Sequence, residues 1–226
     1  MALCDLSGKH ILLTQANAFM GPPLQSMLQA CGAEVIADNR DFLDPRAPGQ
    51  LIKEAGEIDV LLLNLGIPAP NTPASEVEDD EWGLLFRHMV DPLPRFARAL
   101  LPGMIERQRG KILLMGSASA LRGMKRASSY SAARGAQLAW VQAVGAEMAN
   151  KGIQVNAIAQ NFVDNPTYFP ADIQANPAFQ ARLQREVPLG RLVSAEEDAS
   201  FAAYLCSDAA NCFVGQIFPV CGGWSH

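Results

Sequence analysis

Short apolar runs alternate with amphipathic stretches along nearly the whole chain. Lys9–Gln15 (KHILLTQ), Glu34–Asn39 (EVIADN), Asp59–Asn64 (DVLLLN), Lys111–Ser117 (KILLMGS), Gln154–Gln160 (QVNAIAQ) and Gln216–Val220 read as strands. Nearly continuous apolar runs of this length suit strands covered on both faces. Between them, Gly21–Ala30, Glu78–Arg109, Ser128–Asn150 and Ala195–Cys206 read as helices. Pro22 and Pro23 fit only in a first helical turn, and Pro92 and Pro94 predict a bend or break in the Glu78–Arg109 segment. Asp164–Pro188 reads as a Pro-bearing excursion with some helix. The alternation predicts an α/β fold: a single doubly wound, Rossmann-like domain over residues 1–226 with a mostly parallel sheet.

One connection is short. A full doubly wound sheet would place two crossovers and a further strand within Arg40–Ile58, and each crossover takes about a dozen or more residues. At least one helix is therefore expected to be missing or vestigial between the second strand and the Asp59–Asn64 strand. In a dinucleotide enzyme this region walls the adenine pocket.

Composition narrows the partners. Apolar residues make up 49% of the 226 and charged residues 18%, which is globular and not disordered. A net charge of −5 argues against nucleic-acid binding, which needs a basic face. The five cysteines include no C-x-x-C pair and no zinc spacing with histidine, so no metal is expected and the thiols read as buried or idle in a reducing cytosol. The first residues show no leader pattern, and no apolar run approaches the ~18 residues of a membrane span. A cytoplasmic protein without membrane contact is expected. His10, His88 and His226 form no constellation.

Two local patterns carry chemistry. The first strand-to-helix turn runs from Thr14 through Gln15 and Phe19 to Gly21. Glycines in such a turn let backbone amides approach a pyrophosphate at a helix N-terminus. Here Gln15 and Phe19 put side chains in that space, and only Gly21 remains. Asp38, where an acid would hold a ribose, then reads as a solvated turn residue. The second pattern is Ser117, twelve residues, Tyr130, three residues, Arg134. Tyr130 and Arg134 share one helix face at i, i+4. Free tyrosine has a pKa of about 10. A nearby cation lowers it by about 1–3 units, which makes Tyr130 a usable base. Arginine stays charged throughout. Ser117, at a strand end, is placed to hold the oxygen that loses the proton. Asn161, Phe162 and Val163 follow a strand on the carboxyl edge of the sheet, opposite the expected position of Phe19. Aromatic edges and loop amides there predict a small anion pocket. Tyr168 and Phe169 are candidates to roof a small apolar substrate.

From about residue 9 to 223 the chain resembles the short-chain dehydrogenase/reductase superfamily. Asn64-Leu-Gly66, Pro188-Leu-Gly-Arg191, Gly215-Gln216 and Gly222-Gly223 carry that likeness. Within the superfamily it resembles the halohydrin dehalogenases. Their signatures Thr-x4-(Phe/Tyr)-x-Gly and Ser-x12-Tyr-x3-Arg are met by Thr14, Phe19 and Gly21 and by Ser117, Tyr130 and Arg134. The relay asparagine of ordinary dehydrogenases aligns with Met89, and their Pro-Gly after the sixth strand with Gln160-Asn161. The resemblance implies reversible, cofactor-independent closure of vicinal haloalcohols to epoxides, and epoxide opening by azide, cyanide or nitrite. Ser117, Tyr130 and Arg134 would be catalytic. Phe19, Asn161, Phe162 and Val163 would receive the halide. Thr14, Pro70, Ser119, Met124, Tyr168 and Phe169 would line the substrate pocket. It also implies a homotetramer. Two alternatives are a nicotinamide-dependent oxidoreductase with an unusual arginine, and a non-catalytic protein that kept the fold.

Overall fold

The computed structural model describes residues 4–225, so His226 lies outside the described residues. Six strands form one sheet: β1 (His10–Thr14), β2 (Glu34–Asp38), β3 (Val60–Leu63), β4 (Gly110–Ser117), β5 (Ile153–Gln160) and β6 (Ile217–Val220). Their order is β2-β1-β3-β4-β5-β6, and every neighbouring pair is parallel. The helices are α1 (Gly21–Ala30), α2 (Ala47–Ala55), α3 (Asp79–Met89), α4 (Pro92–Glu106), α5 (Ser119–Arg122), α6 (Ser128–Met148), α7 (Ala171–Ala175), α8 (Pro177–Glu186) and α9 (Ala195–Cys206).

Strand residues alternate between the two faces. Leu61, Leu63, Ile112 and Leu114 pack with Phe96, Leu100 and Met104 of α4 and Val141 of α6. Leu62, Leu113 and Met115 pack on the other face with Leu24 and Leu28 of α1 and Ala199 and Ala202 of α9. This double cover explains why β3 and β4 are buried along their whole length. The helical boundaries follow local chemistry. Pro22 and Pro23 start α1, and Pro92 starts α4 after a break at Val90–Asp91. A capping box between Ser194 and Glu197 starts α9.

The short connection keeps one helix, α2. A single crossover therefore joins β2 to β3, and β2 is left as the sheet edge. The expected loss thus includes a strand as well as a helix. Asp38 corrects the sequence reading: it is buried at the end of β2, with Arg40 Nε 2.7 Å from its carboxylate. Arg40 also reaches Glu54 at 2.7 Å, tying the edge to α2. The chain passes from β1 outward to β2 and returns beyond β1 to β3. The carboxyl ends of β1 and β3 therefore flank the point where strand order reverses, the usual ligand crevice of such sheets.

Candidate active site

The turn after β1 keeps an unusual backbone. Gln15 and Phe19 have φ of 45° and 51°, in the left-handed region that glycine enters without penalty. A side chain there costs roughly 1–2 kcal/mol. The turn is over-determined by its neighbours. Asn64 Nδ2 donates to the Gln15 and Ala18 carbonyls at 3.0 and 2.9 Å. Thr14 Oγ1 donates to the Asn64 carbonyl and accepts its N–H. A Cβ on Gly21 would lie 2.4 Å from the Gln15 carbonyl oxygen, so only glycine fits where α1 leaves the turn.

Tyr130 and Arg134 stand one turn apart on α6, both buried, facing Ser117 at the end of β4. Arg134 Nε donates to the Tyr130 hydroxyl at 3.1 Å. Its Nη1 donates to the Leu65 and Met115 carbonyls and to Gln137 Oε1. Gln137, fully buried, donates in turn to the Met89 carbonyl at 2.7 Å. The guanidinium is thus fixed by carbonyl oxygens from two strand ends, with its charge directed at the phenol. Burial opposes ionisation of Tyr130, but the Arg134 charge and hydrogen bonding from Tyr168, Arg134 and Ser117 outweigh it. The phenol is held below its ordinary range. Tyr168 moves the other way, raised first by burial and then by Tyr130. Its hydroxyl accepts the Ala69 N–H at 3.2 Å.

Ser117, Tyr130 and Arg134 open on one cavity of about 270 Å³. Phe19, Asn161, Phe162, Val163, Met124, Tyr168 and Phe169 also stand in its wall. Phe19 packs against Tyr168 with ring centroids 5.8 Å apart. Three expected pocket residues lie outside the wall. Thr14 is committed to Asn64, Pro70 adjoins the lining residue Ala69, and Ser119 sits behind Ser117 with its hydroxyl 2.9 Å from Ser117 Oγ. The loop amides expected as anion donors are partly engaged already. Asn161 N–H donates to the Val220 carbonyl, and Phe162 N–H to Asn161 Oδ1. That second bond leaves Asn161 Nδ2 as a side-chain donor in this loop.

Sequence reasoning missed several contributors. Gln160, Asn165, Arg182 and Trp224 also line the cavity. Arg122 holds Trp224, with its guanidinium carbon 4.7 Å from the ring centroid. Gln137 was detectable as the i+3 neighbour of Arg134 on the same helix face. Gln160 donates to Asp198 Oδ2, and Asp198 is wholly buried on α9.

A dinucleotide fits these residues poorly. The Gln15 amide fills the turn and bonds the Gly66 backbone, Phe19 walls the cavity above it, and the sheet edge lacks the strand that would extend an adenine pocket.

Residues 5–225 match a family described as Enoyl-(Acyl carrier protein) reductase. The chain belongs to the short-chain dehydrogenase/reductase superfamily. Among relatives within this superfamily, 3-oxoacyl-[acyl-carrier-protein] reductase FabG of Salmonella typhimurium is 29% identical over 245 residues, 97% of this chain and 98% of its own length. A solved structure described as a dehalogenation enzyme is 30% identical, with a TM-score of 0.90 over 98% of this chain and 100% of its own. The structure of halohydrin dehalogenase (HheC) bound to ethyl (2S)-oxiran-2-ylacetate is 24% identical, with a TM-score of 0.87 over 96% of this chain and 97% of its own, a likeness of fold. Overall identity does not separate reductases from dehalogenating members, so the site residues must.

Proposed function

We propose that the protein is a halohydrin dehalogenase acting without nicotinamide. It converts vicinal haloalcohols to epoxides, releasing halide and a proton, and opens epoxides with small anions such as azide, cyanide or nitrite. The Arg134 Nε–Tyr130 hydroxyl contact carries this reading. A fixed cation favours the phenolate, which takes the substrate hydroxyl proton while Ser117 holds the same oxygen. The alkoxide oxygen then forms its bond to the adjacent carbon as the carbon–halogen bond breaks. The halide leaves with that electron pair. Both reacting atoms belong to one molecule held in place, which supplies much of the rate. Phe19, Phe162, Val163 and the Asn161 side chain would receive the halide. The 30% identical dehalogenation enzyme supports this assignment. We place the protein in the cytoplasm as a homotetramer, with no nucleic-acid or membrane partner. No helix of the described residues is long and apolar enough to cross a membrane.

The test is bromide and chloride release from simple 1-halo-2-alkanols with no nicotinamide added. Saturable NADPH binding with ketone reduction, and no halide release, would overturn the proposal. That outcome would favour the oxidoreductase reading, which the FabG similarity motivates.

A further inference from the structure

At the opposite edge of the sheet, where the strands begin, lies a second cleft of about 480 Å³. It is lined by Lys9, Arg107, Arg109 and Lys111, against the two acids Asp59 and Asp208. The acids already have partners. Asp208 pairs with Lys9 at 2.7 Å, and Asp59 pairs with Arg109 at 3.0 Å while accepting the His10 N–H. Lys111 is different. On β4 it shares the face of Leu113 and Met115, where apolar residues pack under α1 and α9. It is only 6% exposed, and its Nζ has no hydrogen-bond partner. Arg107 Nε is likewise buried without a hydrogen bond, and Glu57 stands 4.0 Å away from it.

A buried ammonium without a partner is costly, and burial holds Lys111 down at about 8. The four cations stand against Asp59 and Asp208 in the lining and Glu57 at 4.0 Å from Arg107 Nε, so the cleft keeps a positive excess that suits a phosphate anion. Arginine forks and a lysine ammonium are the donors that phosphate oxygens take best. We propose that this cleft is a phosphate-binding site, with Lys111 as its buried donor, Arg107 half-buried beside it and Arg109 at its rim. It lies about 20 Å from Ser117, six residues along the same strand. It is separate from the candidate active site and does not depend on the reaction assigned there.

The experiment is a titration of the full chain at constant ionic strength, read by thermal shift and by ³¹P NMR. Inorganic phosphate, glycerol phosphate and acetate are compared on the wild type, Lys111→Met and Arg109→Gln. Phosphate is expected to raise the wild-type melting temperature saturably. Lys111→Met should raise the phosphate-free melting temperature, because a buried unpaired charge is gone, and should weaken phosphate binding at least tenfold. Arg109→Gln should weaken it less. Preference for glycerol phosphate over the free ion would identify a phosphoryl group carried on a larger molecule; equal affinity would identify the free ion. Equal titration of wild type and Lys111→Met overturns the site, since phosphate would then sit elsewhere, as in the Arg134 cavity. A response to acetate equal to that for phosphate, or no saturable response, also overturns it.

Discussion

The side-chain amide of Gln15 bonds both backbone groups of Gly66, donating to its carbonyl at 3.1 Å and accepting its N–H at 2.9 Å. This clasp matters because a Cβ on Gly66 would lie 2.7 Å from Arg134 Nη2. The first strand's turn thereby sets the wall against which the Arg134 guanidinium rests. Gly66→Ala is expected to displace Arg134 while preserving the fold. A displacement near 1 Å costs on the order of 10²-fold in rate. Dehalogenation kcat/KM and far-ultraviolet circular dichroism measure the two effects; an unaltered kcat/KM would show that this wall does not position Arg134.

Under the proposed mechanism, Tyr130→Phe removes the base. Halide release should fall by about 10²–10⁴-fold, the usual contribution of a positioned base. Arg134→Lys should fall by about 10²-fold, because one ammonium cannot serve Tyr130, Leu65, Met115 and Gln137 from their separate directions. Steady-state halide assays decide both. Wild-type turnover by the Phe variant would remove Tyr130 from the mechanism.

The pH profile has a definite sign. A phenol held below its ordinary value is deprotonated as pH rises through its lowered pKa, so the rate should climb with pH and level off before about 10. Tyr168→Phe deletes a hydrogen-bonding partner of the phenolate. A hydrogen bond to a charged group contributes about 1.5–3 kcal/mol, so the rising limb should move upward by about one pH unit or more. A limb unmoved in the Tyr168→Phe enzyme, with only KM altered, would make Tyr168 a wall of the cavity and nothing further.

Asp198 links stability to pH. Burial pushes its carboxyl up to about 7, and the Gln160 amide only partly opposes this. The unfolded chain ionises this group near 3.9, so between about 4 and 7 the folded protein binds the extra proton. This contribution to stability therefore falls as pH rises through that window, by about 1.4 kcal/mol per unit, and is constant above it. Asp198→Asn keeps an acceptor for Gln160 and removes the titration. Its stability advantage over wild type should grow from pH 4.5 to pH 8 in urea unfolding. The same difference at both values would count against a buried neutral carboxyl.

Much of this architecture is legible from local rules. Gly21–Ala30 and Ala195–Cys206 match α1 and α9 in both bounds, because Pro22 and Pro23 start one and the Ser194–Glu197 box starts the other. The convergence of Ser117, Tyr130 and Arg134 follows from a strand end and one helix face. What sequence could not supply is long-range. Asp198 lies in the first turn of α9 with Glu196 and Glu197, where nothing local in the sequence signals burial, yet α9 turns it inward to Gln160. Tyr168 reads as a roof over a small apolar substrate, since nothing nearby in the chain places its hydroxyl beside Tyr130. The Asn161 and Phe162 amides read as free donors because their acceptors, Val220 and the Asn161 side chain, depend on β6 and on a rotamer.

At residues 15 and 19 the main chain already follows the left-handed path of a glycine loop. At this turn the obstacle to a dinucleotide is therefore side-chain volume, with the route of the polypeptide left in place. Trimming Gln15 and Phe19 to glycine would vacate the loop without asking the backbone to take a new course. Rebuilding the missing edge strand beyond β2 would then be the larger engineering task.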